Sequence, residues 1–241
     1  LCCRVKTVSD KIIHLLFLSR CKIFKVKTKY LEYLTARKEQ QVYNLVRNCF
    51  HSTTQPLKII TEVIVPAIES IYSTFDQGKI GKSELNFLEK IISNSIQIIN
   101  LENFDVDRKK NIILISADYQ STLLSEAASA SFHADGWQVY SLGNMSSSID
   151  VLFDLDLQKL LTKVWKPGTG IMVIVVFSST SESMKFFAES VNSIKAKSRR
   201  NLYLAVCGDM KKNAGIKADL VEEDIEAILQ WSQTTFESSI S

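Results

Sequence analysis

Four short runs rich in β-branched residues mark the second half of the chain: NIILIS (111–116), WQVYSL (137–142), GIMVIVVF (170–177) and NLYLAV (201–206). Stretches of helical length separate them. Strand and helix in alternation specify a parallel sheet, because each parallel pairing needs a crossover and a helix supplies it. The helices are expected at 121–134, 149–164, 182–197 and 222–232, the last opening on VEEDIE, which places acid in its first turn. A fifth short strand fits IKADLV (216–221). In a five-stranded sheet of flavodoxin-like order the strand order reverses between the first and third strands. Ligands then meet the loops after those strands, here 117–121 and 178–181. The first of these loops, Ser116-Ala117-Asp118-Tyr119-Gln120-Ser121, contains no glycine.

The first half reads differently. Ile59, Val63, Ala67 and Ile71, then Leu85, Leu88, Ile92, Ile96 and Ile99, recur at helical spacing. Pro66 either kinks a helix or sits in the first turn of one. DQGKIGKSE (76–84) brings two glycines and Ser83 ahead of the next helix, so a helix pair turns there. Residues 101–110 hold six charged side chains and little periodicity, which makes them the linker. The expected organisation is a basic extension over 1–29, a helical cap over 30–104 and an α/β domain over 105–241.

An apolar content of 46% over 241 residues suffices for one or two cores and excludes a disordered chain. The longest apolar run near the start, 12–18, is broken by His14 and falls far short of a membrane span. The sequence opens on Leu1, which leaves a processed or trimmed start and a truncated signal peptide as alternatives. Five cysteines without metal-ligand spacing point to reduced thiols and a cytoplasmic protein. The first fifty residues carry eleven Lys/Arg against three Asp/Glu. The basic stretch 20–30 is either a nucleic-acid contact or a solvated helix face. There is no Ser-His-Asp grouping, phosphate-binding glycine loop or pair of carboxylates, so hydrolase and kinase chemistry lack residues. The lone loop acid, Asp118, is expected to be solvated or to cap the next helix.

The segment VIVPAIESIYSTFDQGKIGKSE, then a linker, a strand, a helix running into ADGWQVYSLGNMSSSIDVL, and a closing ADLVEEDIEAILQW resemble the cobalamin-binding family. That family includes the corrinoid module of methionine synthase, corrinoid methyl carriers and light-sensing cobalamin repressors. The resemblance implies a helical bundle cap over the upper face of a corrin and a flavodoxin-like, Rossmann-like five-stranded sheet that receives its nucleotide tail. It also implies an Asp-x-His-x-x-Gly loop after the first strand, whose His ligates cobalt. Counted back from Gly136-Trp137, those three positions are Tyr119, Ser121 and Leu124. A hydroxyl is a poor cobalt ligand beside an imidazole, and the carboxylate that would orient the ring is absent too. Histidine ligation from this loop is therefore not expected.

In the cap, where light sensors of this family carry Trp and a Glu-His pair, the equivalents are Phe75 and Leu85-Asn86, with Glu84 one position early. Replacing Phe75 or Leu85 by Ala is expected to weaken ligand retention. Ser178, Ser179 and Thr180 stand where the family sets hydroxyls against the nucleotide tail, or they simply start a helix. Gly208 begins a counterpart of the family's Gly-Gly loop, with Asp209 at the second Gly. The chain's histidines are His14, His51 and His133. His133 falls at the far end of the first sheet-domain helix, and His51, with Cys49 nearby, at an expected helix end or turn in the cap. The leading expectation is a sensory or regulatory module, not an enzyme. It would bind a tetrapyrrole (cobalamin without His ligation, haem or a bilin) between the domains, or a protein partner. The alternatives are a corrinoid methyl carrier serving a methyltransferase and a transcription regulator whose basic arm contacts DNA.

Overall fold

The computed structural model of the protein describes residues 23–50, 56–100, 104–149, 152–166, 168–197, 201–209 and 215–240. His14, His51 and the basic extension up to residue 22 lie outside them. The chain divides into two compact units, Leu1–Ile98 and Ile99–Ser241, a boundary six residues ahead of the one expected.

The first unit is helical. Helix α1 covers 23–35, followed by α2 (Glu39–Phe50), α3 (Pro56–Ile59), a π-helical stretch Ile60–Ile64, α4 (Val65–Asp76) and α5 (Lys82–Asn100). Tyr30, expected at the start of this region, is in the middle of α1 and fully buried. Phe24, Lys25, Thr28 and Lys29 face solvent on the same helix. The basic stretch is thus in good part the solvated face of α1, the blander of its two readings. Pro66 lies in the first turn of α4, where its missing N–H costs little. The π stretch runs directly into that turn, and the Val65 N–H bonds back to the Ile60 carbonyl. Leu85, Leu88, Ile92, Ile96 and Ile99 form the buried stripe of α5, as their spacing predicts. Polar links tie other helices to α5: Tyr30 OH donates to Ser95 Oγ at 3.1 Å, and Asn94 Nδ2 donates to Tyr43 OH at 2.8 Å. Burial pushes the Tyr30 phenol well above its ordinary pKa, so it stays a neutral donor.

The second unit is a five-stranded sheet, all parallel, in the order β2-β1-β3-β4-β5. The strands are β1 (Asp107–Ser116), β2 (Trp137–Asn144), β3 (Ile171–Phe177), β4 (Leu202–Cys207) and β5 (Leu220–Glu222). The helices are α6 (Thr122–Ala134), α7 (Phe153–Val164), α8 (Ser181–Lys197) and α9 (Ile225–Ile240). This is the flavodoxin-like order, with its reversal between β1 and β3. Strand β3 is buried along its whole length. On one face Ile113, Ile115, Ile174, Val176, Leu204 and Val206 pack with α7 and α8 through Phe153, Leu157, Phe187 and Val191. The rings of Phe153 and Phe187 meet edge to face at 4.8 Å. On the other, Trp137 meets Phe132 of α6 at 5.5 Å and Phe236 of α9 at 6.5 Å. Cys207, at the end of β4, is buried, and burial beside Asp224, Glu223 and Glu222 raises its thiol far above the usual range.

Four expected boundaries move, one of them that of β5, which covers Leu220–Glu222 rather than 216–221. Residues 107–110 of the expected linker belong to β1, because backbone pairing continues past the apolar pattern: Lys110 opposes Ile171 and Asp107 opposes Trp137. Helix α7 begins at Phe153 rather than at 149, after a short 3₁₀ turn over Ser146–Ser148. The acidic run 222–224 precedes α9 instead of opening it, since Glu222 is the last residue of β5.

Gly170 is the tightest backbone position in the sheet. Its φ is +137°, and a Cβ there would stand 2.1 Å from the Lys109 carbonyl oxygen, with no flexible side chain to yield. Gly170→Ala should therefore destabilise the protein by about 2–4 kcal/mol, read from urea unfolding.

Candidate functional site

The loop after β1 is closed by hydroxyls and one carboxylate. The strand stays buried through Ser116 and Ala117, and the Ala117 N–H bonds to the Phe177 carbonyl at 2.8 Å, so β1 and β3 end together. The chain then turns at Asp118. Its Oδ1 accepts the Ser121 N–H at 2.9 Å, one residue before α6 begins. Its Oδ2 accepts both Ser178 Oγ and the Ser179 N–H at 2.7 Å, across the reversal point in the loop after β3. One side chain thus joins the two loops where the fold places ligands.

Burial alone would raise the Asp118 carboxyl. The bonds from Ser178, Ser179 and Ser121 outweigh burial and hold its pKa below the ordinary value. No ion pair with Asp118 occurs among the described residues, so the charge is met by oriented dipoles. Ser178 serves in two directions, because the Thr180 N–H also bonds to its Oγ at 3.2 Å just ahead of α8. The Ser178–Thr180 cluster thus stands at the reversal point, directly ahead of the start of α8.

Ser121, the position where the resemblance would put a cobalt-ligating His, is turned inward. Its Oγ lies 2.8 Å from Ser116 Oγ, 3.0 Å from the Phe177 carbonyl and 3.0 Å from the Asp118 carbonyl, and the residue is buried. Ser116 Oγ in turn donates to the Asp118 carbonyl at 2.6 Å. Tyr119, at the position of the family's Asp, is 49% exposed. Leu124 stands one turn into α6, half-buried. Among the described residues the one histidine is His133, at the last turn of α6, the opposite end of that helix from the loop. No cluster of His, Cys, Asp or Glu able to hold a metal ion occurs among the described residues. The donor set at this loop does not fit histidine ligation of cobalt.

The residues expected over a ring belong to α4 and α5. Leu85, at 1% exposure, is part of the buried stripe of α5. Glu84 is taken up by an ion pair with Arg37, in the turn between α1 and α2. Phe75 is half-buried with Lys82 Nζ 5.7 Å from its ring centre, and Asn86 is exposed. Gly208 follows β4 directly and donates its N–H to the Glu222 carbonyl at 3.0 Å, holding β5 in place. Sequence reasoning missed Ser116 and Thr122, whose hydroxyls both donate to the Asp118 carbonyl, Thr122 Oγ1 at 3.3 Å. The signal available was Ser116 two residues before an acid and Ser121 three after it, a spacing that lets hydroxyls and carboxylate close one turn.

Neither a protein-family model nor a curated protein matches the sequence. Solved structures do. The monomethylamine corrinoid protein of Methanosarcina barkeri is similar at a TM-score of 0.67 with 16% identity, over 88% of this chain and 98% of that one. A cobalamin-binding protein from Desulfitobacterium hafniense DCB-2 matches at 0.43 with 14% identity, over 86% and 97%. The methanol:cobalamin methyltransferase complex of Methanosarcina barkeri matches at 0.42 with 12% identity, over 88% and 80%; both values are too low to argue from. The chain has the fold of a corrinoid protein: a helical unit followed by a five-stranded α/β unit.

The depressed Asp118 carboxyl contributes stability that is fully present above the unfolded-state carboxylate pKa and is lost as pH falls through its lower folded value. Asp118→Asn should cost about 1–3 kcal/mol at pH 7. The gap between the two proteins should shrink from roughly pH 4 downward. Urea unfolding of both at pH 7 and pH 3 checks it; an equal gap at both would remove the carboxylate from this role.

Proposed function

We propose that this protein is a corrinoid-binding module, not itself an enzyme, that takes no cobalt ligand from the loop after β1. The observation that carries the reading is the pairing of the corrinoid-protein fold, matched over nearly the whole of both chains, with an inward-turned Ser121 in that loop. The fold supplies the ligand class, and Ser121 narrows the form in which the ligand is held. A corrinoid supplies a cobalt centre that carries alkyl groups. The chain would hold it without offering an imidazole to the cobalt from the loop after β1.

Such a module acts by binding and passing on a signal through a protein partner. Methyl carriage is an equally supported alternative, favoured by the same likeness to a monomethylamine corrinoid protein. Against it stands the missing imidazole and orienting acid, which tune cobalt through methyl transfer. Haem and bilin find no support in the fold, and DNA contact finds none beyond the charge of α1. No helix among the described residues is long and apolar enough to cross a membrane.

Adding cobalamin to the purified protein, with its histidines labelled with nitrogen-15, tests the reading. Cobalamin should be retained through gel filtration, and electron paramagnetic resonance of the cobalt(II) form should show no coupling to a labelled nitrogen. Coupling would bring a histidine, His14 or His51 included, under the metal and favour methyl carriage. A protein that retains no cobalamin at all would leave the fold without its ligand and sink the proposal.

A further inference from the structure

A parallel sheet of this order leaves a crevice for a ligand at the carboxyl ends of β1 and β3. Here that crevice is bridged by the chain itself. The Ala117 N–H and the Ser121 hydroxyl both bond to the Phe177 carbonyl, at 2.8 and 3.0 Å. Asp118 spans the same gap, its Oδ1 accepting the Ser121 N–H at 2.9 Å and its Oδ2 the Ser178 hydroxyl and the Ser179 N–H at 2.7 Å. Residues 121 and 179 stand just ahead of α6 and α8. Backbone N–H groups at helix starts are the donors that ordinarily receive a ligand's anionic group. In this protein both are turned onto a carboxylate of the chain.

The bridge is charged. Burial raises the Asp118 carboxyl, but the bonds from Ser178, Ser179 and Ser121 more than offset it, so the group is ionised at neutral pH. It is in none of the ion pairs among the described residues. A phosphate brought to this crevice would find its donors taken and meet a like charge at close range, where salt screens little. The rim beside the crevice is apolar instead. Six large hydrophobic side chains are exposed among the described residues, and the four in the second unit all lie at this end of the sheet. They are Tyr119 after β1, Ile149 and Leu152 after β2, and Leu155 in the first turn of α7. The Met145 N–H bonds to the Ser116 carbonyl at 2.8 Å, so the connections leaving β1 and β2 start side by side.

We propose that this module recognises the corrin ring and not the nucleotide tail, and so binds a tail-less corrinoid such as cobinamide as well as it binds cobalamin. The inference rests on the corrinoid reading and narrows its ligand class. Cobalamin carries a base on a ribose joined to the ring through an anionic phosphodiester, and cobinamide is the same ring without base, ribose or phosphate. The apolar rim offers contact to the ring, which both share. Asp118 is the residue that decides against the tail, because it holds the donors an anion would need and adds a charge of the same sign.

Calorimetric titration of the whole protein with cobalamin and with cobinamide tests it, both in their dicyano forms so that the cobalt is the same and the tail is free. The two dissociation constants should agree within about threefold. Cobalamin tighter by about tenfold or more would overturn the inference and leave the corrinoid reading standing. Binding of neither would end that reading, and this inference with it. In Asp118→Ala, with circular dichroism matching the parent, cobalamin should gain about fivefold or more on cobinamide as the donors and the charge are released. An unchanged ratio would overturn the part given to Asp118. A measurement on the parent alone covers a variant that fails to fold. A soluble gadolinium chelate should broaden the phosphorus resonance of bound dicyanocobalamin as fully as that of the free ligand, whereas protection would put the phosphate in the crevice and overturn the inference.

Discussion

Where the order of a parallel sheet reverses, the chains leaving two neighbouring strands depart toward opposite faces, and their first backbone N–H groups have no strand left to pair with. In this protein the carboxylate of Asp118 meets that constraint from the middle of the gap. It takes the N–H of Ser121 on its own loop and the N–H of Ser179 on the other, with the Ser178 hydroxyl between them. The starts of α6 and α8, and so the rim of the site that this fold offers, are set by one acid. Because its bonds come from backbone and hydroxyl dipoles, the charge needs no cation beside it.

The same closure accounts for what the loop does not do. Ser116 and Ser121 spend their hydroxyls on each other and on the carbonyls of Asp118 and Phe177. An imidazole at residue 121 would have to leave that inner position before it could face a ligand, carrying the start of α6 with it. The departure from the corrinoid signature is thus a different way of building the loop, with hydroxyls inside and a tyrosine outside.

Strands β3 and β4 were legible because they are covered on both faces, and the runs 170–177 and 201–206 differ from them by at most one residue at an end. Residues 107–110 were not, since a paired backbone with polar side chains looks like a linker. The α5 stripe, Leu85 included, was legible from spacing alone. At the reversal point, residue types pointed to the two loops that Asp118 joins. Direction was out of reach: a serine in a loop reads the same whether its hydroxyl faces a ligand or the Phe177 carbonyl.

Cys207 sits at the inner end of β4 with its sulfur 3.7 Å from the Glu223 carbonyl, buried and with its thiolate strongly disfavoured. Thiolate is the form that alkylating reagents and peroxides attack, so in the folded sheet this sulfur is chemically silent. It becomes reactive only when β4 separates from its neighbours. The rate of alkylation at this one residue therefore reports how often the end of β4 opens.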